Sequence, residues 1–164
     1  MAEIGFIGMG NMGYALLKGV LKEFPAEKLI FTAKTTETKL RVHAETQVVY
    51  AESNAECANN CKYVVLAVKP QYYPLVLKQI RYAVTPDHVV ISLAPGITIQ
   101  SLKETLGSDR RIVRAMPNTP ALIGEGMTGL SFDAEEFSQE EIDRVHQIFG
   151  AVGKYADVEE RMMS

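Results

Sequence analysis

The chain has 164 residues, of which 47% are hydrophobic and 23% charged, so it can form one domain with a core and is not a disordered chain. Its net charge of −3, from 17 basic and 20 acidic residues, is too small and too mixed for a general nucleic-acid binder. No apolar run reaches the roughly 18 to 20 residues of a membrane span, the N-terminus lacks the basic region of a signal peptide, and two cysteines cannot build a disulfide framework. We therefore expect a soluble, cytosolic, globular protein.

Apolar runs and helical periodicities alternate along the chain. In chain order they predict a strand at 4–7, a helix from 12 to 20, strands at 29–32 and 46–50, a short helix at 53–60, a strand at 63–68, a helix at 71–84, a strand at 89–94, a helix at 98–106, strands at 112–116 and 127–132, a helix at 138–149 and a strand at 155–158. The polar stretch 32–38 is predicted to be a loop. This alternation is typical of βαβ units and predicts an α/β, doubly wound, mostly parallel sheet flanked by helices.

A glycine-rich turn follows the first strand. Residues 8–13 read GMGNMG, which fits the G-x-G-x-x-G pattern in the strand-to-helix context that this pattern requires. Gly8 permits the tight turn, Gly10 lets a pyrophosphate approach the backbone, and Gly13 lets the helix pack close to the sheet. The free N–H groups and dipole of the first helical turn favour an anion. The turn predicts a Rossmann-type dinucleotide site; the alternative is a plain strand-to-helix turn.

The end of the second strand indicates which dinucleotide is bound. An NAD site usually carries a carboxylate there, about 20 residues past the glycines, to bind the ribose 2′-hydroxyl. Here the position holds Thr32, Ala33, Lys34, Thr35 and Thr36, with no carboxylate before Glu37. Lys34 and the threonine hydroxyls would attract a 2′-phosphate. The sequence therefore favours NADP, with NAD as the alternative cofactor; the competing structural interpretation is a solvated basic loop.

Three further turns follow predicted strands, at residues 67–70 (AVKP), 94–96 (APG) and 116–120 (MPNTP). Ligands of open α/β sheets bind at the carboxyl ends of strands, so these turns can form a floor for a nicotinamide. Each could instead simply end its strand, since proline and glycine do so commonly. Asn118, flanked by two prolines, is the most interesting polar group among them. Cys57 and Cys61 are expected to be buried thiols rather than metal ligands.

Together these motifs resemble those of the pyrroline-5-carboxylate reductases, which catalyse the last step of proline synthesis. The resemblance covers essentially the whole chain and rests on residues 5–13 (GFIGMGNMG), 67–70 (AVKP), 92–98 (SLAPGIT) and 114–121 (RAMPNTPA). The first stretch alone would also suit β-hydroxyacid dehydrogenases, and the last is the most discriminating.

The resemblance implies roles for individual residues. The pyrophosphate would lie against Ile7, Gly8, Met9, Gly10, Asn11, Met12 and Gly13. Lys34 and Thr35 would lie near the 2′-phosphate, and Asn54 would contact the adenosine ribose. The nicotinamide half would contact Ala67, Val68, Lys69, Pro70, Ala94, Pro95 and Gly96. Asn118 would position the nicotinamide and the substrate.

The implied reaction is NADPH-dependent reduction of the C=N bond of 1-pyrroline-5-carboxylate to L-proline, an oxidoreductase activity of amino-acid biosynthesis without a metal. The resemblance implies an NADP-binding domain over residues 1–158 and, over 159–164, the start of a helix leading to a helical domain that makes a homo-oligomer and completes the substrate site. We expect the chain by itself to bind NADPH, to turn over little, and to expose an apolar patch. The alternatives are a β-hydroxyacid dehydrogenase-like NADP oxidoreductase and a non-catalytic NADP-binding module.

Overall fold

A computed structural model describes residues 1–117 and 126–163. The eight described strands are β1 Ile4–Ile7, β2 Leu29–Thr32, β3 Val49–Tyr50, β4 Tyr63–Leu66, β5 Val89–Ser92, β6 Arg111–Pro117, β7 Gly126–Ser131 and β8 Gly153–Asp157. The α-helices are α1 Asn11–Val20, α2 Thr36–Thr46, α3 Asn54–Asn59, α4 Tyr73–Ile80, α5 Ile99–Leu106 and α6 Gln139–Gly150. Short 3-10 turns span Ala26–Lys28, Pro70–Tyr72, Ala134–Glu136 and Glu160–Met162.

The strands form one sheet in the order β3-β2-β1-β4-β5-β6-β7-β8. Every neighbouring pair is parallel except β6 with β7, which are antiparallel. The predicted fold class, a doubly wound and mostly parallel α/β sheet flanked by helices, is confirmed. The order reverses between β1 and β4, because the chain leaves β1 toward β2 and later returns to start β4 on the opposite side of β1.

Two apolar clusters cover the two faces of the sheet. On one face, α1 and α6 pack on the sheet through residues such as Leu17 and Phe149, around Phe6. On the other face, α3, α4 and α5 pack around a cluster that includes Ile80 and Leu102. The central strands β1, β4 and β5 are buried along their whole length, as expected of parallel strands that helices cover on both faces. No helix in the described part of the chain is long and apolar enough to span a bilayer.

Four predicted segments differ from the structure. The predicted loop 32–38 ends in helix, because α2 begins at Thr36 after Thr35, whose hydroxyl accepts from the Thr38 amide. The strand predicted at 46–50 is only β3, since α2 occupies its start. The helix predicted at 71–84 opens as a 3-10 turn, and α4 ends at Ile80. The predicted helix over 159–164 is represented by the 3-10 turn Glu160–Met162.

Candidate dinucleotide site

The carboxyl ends of β1, β2 and β4 meet at the point where the strand order reverses. The backbone carbonyl of Ile7 accepts from the Ala67 amide at 2.8 Å, and the Thr32 carbonyl accepts from the Gly8 amide at 3.2 Å. These bonds hold the turn after β1 between the ends of β2 and β4. In open α/β sheets the crevice outside such a reversal is where ligands bind.

Gly8 makes the tight turn out of β1. Its φ of +104° is a conformation that L side chains rarely adopt. A Cβ added at Gly8 would also lie 2.9 Å from the carbonyl carbon of Ala67 and 2.9 Å from Cγ1 of Val68. Glycine is therefore required here by both the backbone angle and the neighbouring chain, which is the role that the sequence predicted for it.

Gly13 and Gly10 lie on the same turn but differ in the space around them. A Cβ at Gly13 would run into the backbone oxygen of Gly8, so this glycine lets α1 lie against the turn. A Cβ at Gly10 would have no atom within 4 Å. The missing side chain at Gly10 therefore leaves open space directly above the N-terminus of α1.

The N-terminus of α1 is suited to an anion. Gly10 is its N-cap residue, no side chain caps the helix, and its first turn carries no acidic residue. The amides at the start of a helix have no intrahelical partner and sit at the positive end of the helix dipole. Beside Gly10, Asn11 is exposed, Met12 is half-buried and Met9 is buried. The predicted pyrophosphate residues thus form one continuous turn that leads into the free N–H groups at the start of α1.

The adenosine side carries a cation and a second helix N-terminus. Lys34 and Thr35 follow β2 and are both exposed, and Thr35 is the N-cap residue of α2. The nearest acidic residue in sequence, Glu37, is exposed in the first turn of α2. The Lys34 ammonium lies 3.3 Å from the hydroxyl of Tyr72 and 4.8 Å from the centre of its ring. The end of β2 therefore presents positive rather than negative charge to the crevice.

Asn54, expected at the adenosine ribose, is the first residue of α3. Ser53 caps this helix by accepting from the Glu56 amide. The Asn54 side-chain amide donates to Oε1 of Gln79 on α4 at 2.7 Å. Asn54 and Lys34, both expected on the adenosine side, are therefore each bonded to the segment that begins after β4.

The turn after β4 lies directly against the glycine-rich turn. Ala67 and Val68 are half-buried next to Gly8, whereas Lys69 and Pro70 are exposed. Lys69 has extended backbone and Pro70 begins the following 3-10 turn, as proline does readily at a first helical position. This turn can offer an apolar wall and a cation to a ligand that lies across the crevice.

The turn after β5 is open in the same way as the glycine-rich turn. Ala94 is buried, while Pro95 and Gly96 are exposed. Gly96 has a φ of +76°, and a Cβ there would have no atom within 4 Å. A flat ring can therefore approach the backbone closely at this turn, next to the ends of β4 and β6.

The sequence did not predict the buried pair of hydroxyls, those of Tyr73 and Ser92, that joins the end of β4 to the end of β5. The hydroxyl of Tyr73 donates to the carbonyl of Leu66 at 3.0 Å and lies 2.9 Å from Oγ of Ser92. Burial raises the pKa of Tyr73 to about 12, so the hydroxyl stays protonated and acts as a hydrogen-bonding link rather than as a base. The tyrosine pair at 72–73 after a Lys-Pro turn was the only sequence signal for this link.

The sequence also did not predict the ion pair between buried Arg114 and Glu160. The Arg114 side chain on β6 is almost fully buried and its Nη1 lies 3.1 Å from the Glu160 carboxylate, while its Nε has no hydrogen-bond partner among residues 1–117 and 126–163. The same carboxylate accepts from the Ile99 amide at 2.7 Å, at the start of α5. Glu160 lies 46 residues from Arg114, so the spacing in the sequence gave no sign of the pair.

The prediction that the two cysteines are buried thiols is confirmed. Cys57 and Cys61 are both free and buried, and burial raises the pKa of Cys61 to about 12 and that of Cys57 well above its usual range. In residues 1–117 and 126–163 no three His, Cys, Asp or Glu side chains are grouped as metal ligands. Asn118 lies outside the described residues, so its predicted positioning role stays a prediction.

A mostly parallel sheet with an open, uncapped glycine turn at its reversal point defines a Rossmann-type dinucleotide-binding domain. The family described as "NADP oxidoreductase coenzyme F420-dependent" matches residues 3–96, which run from β1 to the turn after β5. Because this match covers more than half of the chain, the chain belongs to that family.

Individual relatives are similar over most of the chain. The chain is 40% identical to the pyrroline-5-carboxylate reductase of Haemophilus influenzae over 152 residues, which are 92% of this chain and 55% of that protein. The structure of the Coxiella burnetii pyrroline-5-carboxylate reductase matches 97% of this chain and 59% of its own, with a TM-score of 0.90 and 31% identity. The Plasmodium falciparum pyrroline carboxylate reductase, solved with NADP bound, matches 98% of this chain and 58% of its own, with a TM-score of 0.85 and 31% identity. The chain thus spans 55% to 60% of the length of these relatives and of the curated pyrroline-5-carboxylate reductases of Pseudomonas aeruginosa and Escherichia coli.

Proposed function

We propose that this chain binds NADP and is the cofactor-binding part of a pyrroline-5-carboxylate reductase. The observation that carries the proposal is the open space above Gly10 at an uncapped helix N-terminus, between the ends of β2 and β4. The relatives named above support the choice of reaction within the family. NADPH is the preferred cofactor in this proposal, and NADH is the weaker alternative.

In this proposal the cofactor lies along the carboxyl ends of β1, β2, β4 and β5. The amides at the start of α1 would bind the pyrophosphate, with Gly10 leaving room for it. Lys34 and Thr35 would bind the 2′-phosphate, and Asn54 the ribose. Ala67, Val68, Lys69 and Pro70 with Ala94, Pro95 and Gly96 would line the nicotinamide half. Asn118 would help to position the nicotinamide and the substrate.

Bound NADPH would supply a hydride to the C=N carbon of 1-pyrroline-5-carboxylate, giving L-proline. The protonated imine is already a good electrophile, so the chain's contribution is to hold the reacting carbons in contact and to exclude water. Buried Ala94 and half-buried Ala67 and Val68 give that part of the crevice an apolar wall. Gly96 allows close approach from the other side.

The wider context belongs to the same proposal. Residues 1–158 would form the cofactor domain, and 159–164 would lead toward a helical part that the longer relatives contain. A small cyclic imine would be the substrate, a homo-oligomer the working assembly and the cytoplasm the location. The two free, buried thiols support a reducing compartment.

A calorimetric titration with NADPH and NADH tests cofactor binding. We expect NADPH to bind more tightly than NADH, and Gly10→Val to weaken both, because its side chain would fill the space that the pyrophosphate needs. Gly150→Ala is the matched control, since a Cβ there would make only an ordinary 3.6 Å contact with Tyr155. Tighter binding of NADH, or unchanged binding by Gly10→Val, would contradict the proposal.

The reaction is tested separately by following NADPH oxidation with 1-pyrroline-5-carboxylate and identifying proline as the product. The 164-residue chain is assayed first, and then joined to the C-terminal part of a longer relative. We expect little turnover in the first assay and clear turnover in the second. Oxidation of 3-hydroxyisobutyrate instead of imine reduction would favour the dehydrogenase alternative.

A further inference from the structure

Two consecutive tyrosines begin the segment after β4 and have opposite environments. Tyr73 is buried and bonded to Leu66 and Ser92, which fixes the segment against the sheet. Tyr72 is 38% exposed, and its amide closes the 3-10 turn by donating to the Lys69 carbonyl at 3.0 Å. The buried anchor and the tight turn together hold the Tyr72 side chain at the rim of the crevice.

From this position Tyr72 reaches across the crevice to the adenosine side. Its hydroxyl lies 3.3 Å from the ammonium of Lys34, and its ring centre is 4.8 Å from the same nitrogen. The contact joins the turn after β4 to the turn after β2, 38 residues apart in sequence. An aromatic face and a neutral hydroxyl both attract an ammonium group without cancelling its charge.

The charge of Lys34 is free for an anion, in contrast to that of a neighbouring lysine. Lys39 is buried and bonds to the carbonyl of Glu52 at 3.1 Å, with the Glu52 carboxylate 3.9 Å away. Lys34, within the described part of the chain, forms no such ion pair; its contacts are to Tyr72. A lysine side chain is long and flexible, so an uncharged support that limits its freedom favours binding at one position.

We propose that Tyr72 is a positioning residue that holds Lys34 toward the 2′-phosphate and thereby sets the preference for NADPH over NADH. The inference rests on the proposed NADP site and adds a residue to it. It requires that removing Tyr72 weakens only those ligands that carry a 2′-phosphate, because the effect passes through Lys34. The Asn54–Gln79 bond supports the same view, since it also fixes an adenosine-side residue from the segment after β4.

The test is calorimetric binding of NADPH, NADH, 2′,5′-ADP and ADP to Tyr72→Phe and Tyr72→Leu. Tyr72→Phe keeps the ring and loses one hydrogen bond, so we expect about 2- to 3-fold weaker binding of NADPH and 2′,5′-ADP. Tyr72→Leu loses both interactions, and we expect about 5- to 10-fold. NADH and ADP should change less than about 2-fold with either variant, since neither carries the phosphate that Lys34 binds.

A double-mutant cycle with Lys34→Met separates positioning from direct contact. When Lys34 is absent, Tyr72→Leu should have no further effect on 2′,5′-ADP binding. Tyr82→Leu is the matched control, because Tyr82 is 89% exposed just beyond α4 and should leave all four ligands unchanged. Thermal unfolding of each variant checks that the fold is retained.

The outcomes distinguish this inference from the proposed function. If wild-type protein binds NADPH and Tyr72→Leu weakens NADPH and NADH equally, the ring contacts adenine rather than positioning Lys34, and the inference is wrong while the NADP site stands. An unchanged NADPH-to-NADH ratio in both Tyr72 variants leads to the same conclusion. If the wild-type protein binds neither NADPH nor 2′,5′-ADP, both the inference and the proposed function are wrong.

Discussion

The helix at the reversal point of the sheet begins differently from the helices of the C-terminal half. At the reversal point, α1 begins at Gly10 with no side-chain cap and no acidic residue in its first turn. In the C-terminal half, α6 begins with a capping box of Ser138 and Glu141, and α5 with Thr98 plus the carboxylate of Glu160. Because the first amides of any helix need partners, the difference separates a helix end that stabilises the fold from one that is left open for a ligand.

The charged groups at these two places also differ. Glu141 on α6 forms ion pairs with Arg111 at 2.6 Å and with Lys62 at 3.0 Å, while Lys34 at the crevice contacts an uncharged tyrosine. The paired charges of Glu141 contribute to stability, whereas Lys34, which has no ion pair among the residues that the structure describes, is free to attract an anion. Substitutions at each place test whether the two helix ends differ in this way.

The largest effect is expected for Gly13→Ala. Its methyl group would meet the Gly8 backbone oxygen, which cannot move without distorting the turn, so we expect a loss of about 3 kcal/mol in the free energy of unfolding. Gly10→Ala on the same turn meets no atom and should cost less than about 1 kcal/mol, as a weaker N-cap. Urea denaturation measures the free energy of unfolding of both variants. Equal losses would contradict the open space at Gly10.

Glu141→Gln tests the closed helix end. Two oxygens of Glu141 receive the Arg111 guanidinium at 2.6 and 2.7 Å, and its side chain is only 8% exposed. Removing the charge leaves the arginine without its counter-ion, and we expect the free energy of unfolding to fall by about 2 kcal/mol. This is less than the loss for a fully buried pair, because the amide oxygen of glutamine still accepts a hydrogen bond. Glu140→Gln, the exposed neighbour in the same turn, should change stability by less than about 0.5 kcal/mol.

The same carboxylate predicts a pH dependence. The hydrogen bonds from Arg111 lower the pKa of Glu141 from its usual 4.5 to about 2. The unfolded chain therefore binds this proton more readily than the folded protein, so the contribution is complete above about pH 4.5 and is lost as the pH falls toward 2. Urea midpoints of the wild type and Glu141→Gln should converge over this range, and a constant difference down to pH 2.5 would contradict the assignment.

A smaller effect is expected for Glu160→Gln. The Glu160 carboxylate is one-third exposed, yet it serves both the buried Arg114 and the Ile99 amide. We expect a loss of about 1 kcal/mol, because the glutamine keeps an acceptor for the amide but no longer neutralises the guanidinium. Glu159→Gln is the control, since in the described part of the chain Glu159 forms an ion pair with exposed Arg161 alone, two residues away; a matching loss there would assign the effect to general surface charge.

The elements that the sequence predicted well are those whose pattern is local and strong. The buried strands such as Ile4–Ile7, the glycine-rich turn and the Ser138 capping box each carry their own signal. Helix α2 was not predicted at all, because it buries only Lys39 and Val42 and shows no clear apolar stripe. Where one face of a helix is only lightly covered, hydrophobic periodicity is too weak to mark it.

By itself the sequence determined the fold class, the position of the glycine turn and the absence of a carboxylate at the end of β2. These depend on residues within a few positions of one another, where backbone angles and side-chain spacing act directly. Only the tertiary structure decided that Tyr72 contacts Lys34, that Tyr73 joins two turns through Ser92, and that Glu160 neutralises Arg114. Such contacts join residues that are distant in the chain, and the packing of helices on the sheet brings them together in a way that local pattern does not encode.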